Sequence, residues 1–347
     1  MEHFISKKQS VMLKGLAIIF MLMHHFFTFP EWREQYVTYG KLEAFFLATR
    51  EPFRLCVPIF AILTGYIYGI GKELRIKDVL SKIVKFLQSY WLIYIILVIV
   101  SVVVCGAKVD MYYFVTGLFG LTAKWACFCW YVYFYIFMMI MMPWIVKLLR
   151  RSYIYFFVMM VMCRVVVEIF LKKMFFADLW TAMFNCAYYF PCVIIGTAIG
   201  CYNVFGKMKK ITAFSGKTIM SKMILCILWC VAFWGPFLLG VDIKMFSIVG
   251  IYAAVLIYCT IVLNSRNYGK IFEFLGKHAT NIWFLHCIFF AGATEKVFKK
   301  ILYLPHYPLL VLLWGGLICV LASVVIIRIK GETDKCLKKL GGKCREK

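Results

Sequence analysis

Ten apolar stretches recur through this chain, at 11–29, 55–70, 83–104, 126–146, 153–171, 184–202, 219–240, 245–263, 279–293 and 307–328. Most have the roughly 17–25 residues that a helix needs to cross a hydrocarbon core. In lipid every backbone N–H and C=O must find a partner within the chain, and a helix satisfies that demand by itself. The pattern predicts an all-α, polytopic integral membrane protein of about ten transmembrane helices. The second and ninth stretches are short, so they need snorkelling flanks or neighbours that cover them. No polar stretch is long enough to form a separate soluble domain. Residues 1–330 read as one transmembrane domain and 331–347 as a basic cytoplasmic tail.

The net charge of +24 would point to nucleic acid in a soluble protein. Its distribution argues otherwise. With the N-terminus inside, 27 of the 40 Lys and Arg fall on the inner side, 12 in the outer loops, and Arg164 within a stretch. This positive-inside bias places both termini in the cytoplasm. It accounts for the charge without a nucleic-acid partner and implies a multi-pass protein of the plasma membrane. The first stretch reads as a retained helix, because bulky His24-His25-Phe26-Phe27 stands where signal cleavage needs small residues. Most of the fifteen cysteines, such as Cys163, Cys192, Cys226, Cys230 and Cys259, lie inside apolar runs and read as small hydrophobes. Their spacing does not suggest a metal site.

Polar residues inside such stretches are costly and mark function more often than chance. In the first stretch Lys14 and His25 are eleven residues apart, so both project from one face of a helix, separated along the axis by roughly 16 Å. His24 sits about 100° around from that line. A cation at the mouth and an imidazole deep on the same face suggest a polar path; an interfacial anchor and a structural hydrogen bond are the plainer alternative. At the head of the second stretch Glu51 and Arg54 stand at i, i+3, either as a surface ion pair or with the guanidinium held over a pocket for an anion. The ninth stretch carries His286 within it and His278 at its inner end. Arg164 and Glu168 at i, i+4 in the fifth read as a structural pair.

These segments resemble the acyltransferase 3 family of integral membrane acyltransferases. "MLKGLAIIFMLMHHFF" resembles the family's opening "LRGIAxxxVxxxHF", and "FRLCVPIFAILTGYIYG" resembles "SRxxVPLFFxxSGYL". "CWYVYFYIFMMIMMPWI", "YYFPCVIIGTAIG" and "LGKHATNIWFLHC" fit the fourth, sixth and ninth helices. The matches keep their order over nearly the whole chain. The resemblance implies ten transmembrane helices and transfer of an acyl group, usually acetyl, from cytoplasmic acetyl-CoA to a hydroxyl of a surface or exported carbohydrate. It places His25, Arg54 and His286 in the catalytic centre. Lys14 stands where the family has Arg, and Lys82-Ile-Val-Lys85 where many members have Arg-x-x-Arg. Lys keeps the charge but lacks the bidentate fork for phosphate.

The mechanism expected from these residues has His25 as general base and Arg54 as the charge that steadies the developing anion. Lys14, Lys82 and Lys85 would meet the donor's phosphates. Glu51 and Glu31 are candidate carboxylates to orient His25, and His24 is a candidate substrate contact. An acyl-histidine intermediate stays open. The rival reading is a transporter or flippase of a polar glycan precursor, which would also want Arg and His in a membrane cavity.

Overall fold

The computed structural model describes residues 4–27, 36–49, 52–71, 75–127, 130–172, 177–238, 246–264 and 269–343. Among them there is no strand. The helices, in chain order, are α1 (Lys7–Phe27), α2 (Glu43–Thr49), α3 (Cys56–Ile70), α4 (Ile76–Cys105), α5 (Met111–Gly117), α6 (Trp130–Arg151), α7 (Ile154–Lys172) and α8 (Ala177–Cys201). They continue with α9 (Val204–Lys209), α10 (Ile219–Leu238), α11 (Phe246–Leu263), α12 (Lys270–Lys277), α13 (Ala279–Leu285), α14 (Gly292–Leu302) and α15 (Pro308–Lys343). Seven described helices are long and apolar enough to cross a membrane, and Ile248–Leu263 and Ala279–Phe289 are shorter apolar helices. The chain is an all-α polytopic membrane protein.

Several boundaries move. The third stretch begins earlier, at Ile76, with Asp78 in the first turn where a carboxylate suits the helix dipole; α4 therefore carries Lys82 and Lys85 in its second and third turns. It ends at Gly106, whose left-handed φ of 64° closes the helix. The last helix continues through the expected tail as far as Lys343. The ninth stretch departs most. It is a seven-residue α-helix of about two turns, α13, followed by a 3-10 segment at His286–Phe289, and it stops there. The chain then restarts as amphipathic α14 with Lys296, Lys299 and Lys300. Pro143, Pro191 and Pro236 sit inside α6, α8 and α10. Neighbouring helices make such breaks of the hydrogen-bond ladder tolerable in a membrane bundle.

Two helix crossings hold the bundle with backbone against backbone. Without a hydrophobic drive between helices in lipid, small residues that let backbones approach supply the packing. Gly65 and Gly69 of α3 face Gly196 and Gly200 of α8, each pair at the i, i+4 spacing of one helical face. A Cβ at Gly65 would lie within 3.0 Å of the Val193 carbonyl, and one at Gly196 within 3.0 Å of the Ile62 carbonyl. The second crossing joins α1 to α12, where Gly15 lies against the Phe272 carbonyl and Gly276 against the Val11 carbonyl. Glu273 reinforces it, pairing with Lys277 at 3.0 Å and with Lys8 of α1 at 3.8 Å. The hydrogen bond from Lys277 and the nearby Lys8 hold the Glu273 carboxyl below the usual carboxylate range.

Candidate active site

α1 brings two of the expected groups into place. His25 lies two residues before its end and is buried. The helix end is fixed by Tyr303, whose hydroxyl donates to the Phe26 carbonyl at 2.6 Å. That bond satisfies one of the orphan carbonyls that any helix leaves at its C-terminus. The 3-10 segment then sets His286 against His25, with ring centroids 4.9 Å apart. His286 is fully buried, and Phe290 packs beside both rings. The break in the ninth stretch is thus what presents His286, since it falls on that residue.

Arg54 reaches the same place from another direction. It sits in a 3-10 turn, Pro52–Leu55, that leads into α3. The Pro58 of α3 lies in its first turn, where a missing N–H costs nothing. Arg54 is near enough to His25 to interact electrostatically with it, and its guanidinium reaches the Tyr189 hydroxyl of α8. His24, His25 and Arg54 together line a chamber of about 190 Å³, with Trp130, Asn185, Tyr189 and Trp283. His24, His25 and Arg54 are therefore gathered at one end of α1, and His24 shares the chamber although it lies off the Lys14–His25 line.

Lys14 opens into a different chamber, of about 180 Å³, with Thr64, Tyr131, Tyr135 and Trp283 in its walls. Lys82 and Lys85 are not part of that lining. Both are exposed on α4, and the Lys82 ammonium lies over the Tyr68 ring, 4.4 Å from its centroid. A larger cavity of about 590 Å³ is lined instead by Lys8, Lys209 and Lys217 together with Phe4. Glu31 and Glu51 lie outside the described residues. Arg164 and Glu168 pair at 2.8 Å on the outward side of α7, away from both chambers. His278 is held at 2.8 Å to the Ser323 hydroxyl of α15, a structural tie.

Three aromatic residues and an amide of the chamber are among those that escaped the sequence reading. Trp130, Tyr189 and Trp283 are aromatic residues in apolar runs, which core packing explains equally well. Asn185 is different: an amide in the sixth stretch is a polar residue inside the membrane, the signal already used for the histidines.

A chamber inside a membrane bundle that holds imidazoles and a guanidinium can accept a proton and steady an anion. No curated protein and no solved structure matches the chain. The model of the acyltransferase 3 family, described as an acyltransferase domain, matches residues 12–328 and so takes in Lys14, His24, His25, Arg54 and His286. The chain belongs to this family of membrane acyltransferases.

Proposed function

We propose that this protein moves an acetyl group from cytoplasmic acetyl-CoA to a hydroxyl of a carbohydrate at the outer face of the plasma membrane. The observation that carries the reading is the meeting of His25 and Arg54 in one chamber, with His286 packed behind the His25 ring, in a member of an acyltransferase family. The inward bias of Lys and Arg supports ten spans with both termini in the cytoplasm, which sets Lys14 at the donor's side and His25 toward the acceptor's.

In this scheme His25 takes the proton of the acceptor hydroxyl as its oxygen attacks the acetyl carbon. Arg54 faces the negative charge that builds on the carbonyl oxygen. The C–S bond breaks, the CoA sulfur leaves and recovers the proton from His25, and an oxygen ester remains on the sugar. His286 packs against the His25 ring and holds its orientation. Lys14 receives the donor's polar arm, and the cations of the large cavity and of α4 supply further positive charge at that end.

Purified protein reconstituted in vesicles tests this. Acetyl-CoA added on the Lys14 side should release free CoA only when a carbohydrate acceptor is supplied, with label appearing on the carbohydrate. Movement of glycan across the vesicle without acetyl-CoA, and no CoA release, would support the flippase instead. Within the same assay His24→Ala is expected to lower turnover by less than about tenfold, because His24 borders the chamber off the Lys14–His25 line. A loss as deep as that of His25 would reassign the base.

A further inference from the structure

The two chambers meet at one side chain. Among the described residues Trp283 is the one that lines both the Lys14 chamber and the His25 chamber. Its ring stands in an aromatic septum, 4.8 Å from Tyr131 and 5.7 Å from Phe60 between centroids. On the far side it touches the His286 ring at 6.3 Å, and His286 touches His25. An acyl group travelling from Lys14 toward His25 must pass this ring.

The indole is also chemically unfinished. Trp283 is 3% exposed, and its N–H is buried with no hydrogen-bond partner among the described residues. A buried indole N–H normally finds a partner, because leaving the donor unpaired in an apolar setting is unfavourable. Indole offers a donor only, so the missing partner must be an acceptor atom. The passing acyl donor carries one at the reacting end, the carbonyl oxygen of the thioester.

We infer that Trp283 is a further substrate-binding residue: as the donor's arm threads from the Lys14 chamber to His25, the indole N–H donates to the acyl carbonyl oxygen. This rests on the acyl-CoA reading given above. The hydrogen bond strengthens as charge builds on that oxygen, so Trp283 complements Arg54 from the opposite side of the carbonyl. It also selects a donor that has a carbonyl one bond from sulfur over one that merely has the same size.

A pair of ligands isolates that contact. S-ethyl-CoA matches acetyl-CoA in size but has a methylene in place of the carbonyl. The full-length protein in detergent should bind acetyl-CoA about five- to tenfold more tightly than S-ethyl-CoA, the range expected for one buried hydrogen bond. Trp283→Phe keeps an aromatic ring in the septum and removes the N–H, and should bring the two affinities together. Trp283→His restores a ring N–H and should recover part of the preference. Equal affinities in the wild type, or an undiminished preference in a folded Trp283→Phe, would overturn the inference. Should the phenylalanine variant fail to give a monodisperse peak on gel filtration, Trp283→Leu, which also removes the donor, takes its place and should likewise bring the two affinities together. A wild type that neither binds nor turns over acetyl-CoA defeats the donor assignment itself, whereas turnover without a carbonyl preference defeats only the role of Trp283.

Discussion

Replacing His25 by Ala should lower acetyl transfer by about 10²- to 10⁴-fold, the range that a positioned general base contributes. The expectation follows from where the ring sits. It is buried at the end of α1, packed against His286, and opens on the chamber that holds Arg54. No other described side chain in that chamber lies on the same face of α1 as Lys14. Ala at this position keeps the helix, since Ala is the best helix former and the Tyr303 bond to Phe26 is made by the backbone carbonyl. The variant should therefore insert and purify like the wild type while acetyl-CoA turnover with acceptor collapses. Turnover within about threefold of wild type would remove His25 from the mechanism, far outside what loss of a base allows.

Gly65→Leu should abolish recovery of folded protein. The side chain would have to occupy the space of the α8 backbone, where even a Cβ meets the Val193 carbonyl and the Thr197 amide within 3.0 Å. A flexible side chain can move out of the way; a helix backbone held by its own ladder cannot. Overpacking of a core by a few carbons typically costs about 1–3 kcal/mol, and here the displaced partner is main chain, so the penalty falls at or beyond that range. Gly196→Leu should do the same from the other helix. Gly331→Ala on α15 is the control, because nothing lies within 4 Å of the added carbon; its effect should be neutral or stabilising by up to about 1 kcal/mol. Thermal unfolding followed by size exclusion in detergent measures all three. A monodisperse, wild-type-like Gly65→Leu would mean that α3 and α8 do not pack through their glycines.

The architecture was legible because lipid imposes one demand on every span. The helices α1, α3, α4, α6, α8, α10 and α11 fall where apolar length placed them. The ninth stretch was misjudged because its break has no proline to announce it; Ala279 to Phe290 is as apolar as any neighbour, and tertiary packing around His286 decides where the helix stops. His25, Arg54 and His286 could be picked out since a titratable group in hydrocarbon needs a reason to be there. Trp130, Tyr189 and Trp283 could not, because an aromatic ring in a core and one in a chamber wall look alike until the cavity is seen. Lys82 and Lys85 show a different limit: Lys82 shares a helix face with Phe86, which lines the Lys14 chamber, yet neither lysine is itself in that lining.

The glycine crossings also decide how stiffness is shared out. α3 and α8 touch through main chain, and so do α1 and α12. Such contacts have no rotamers to exchange, so the walls carrying Arg54, Tyr189 and His25 keep their spacing. Between α12 and the 3-10 turn lies α13, seven residues long, free of glycine and jointed at His278 and at His286. It carries Trp283. That segment is pinned as well, by the His278 ring and the Asn281 amide on the Ser323 hydroxyl of α15, so the septum is held by fixed contacts on both of its sides.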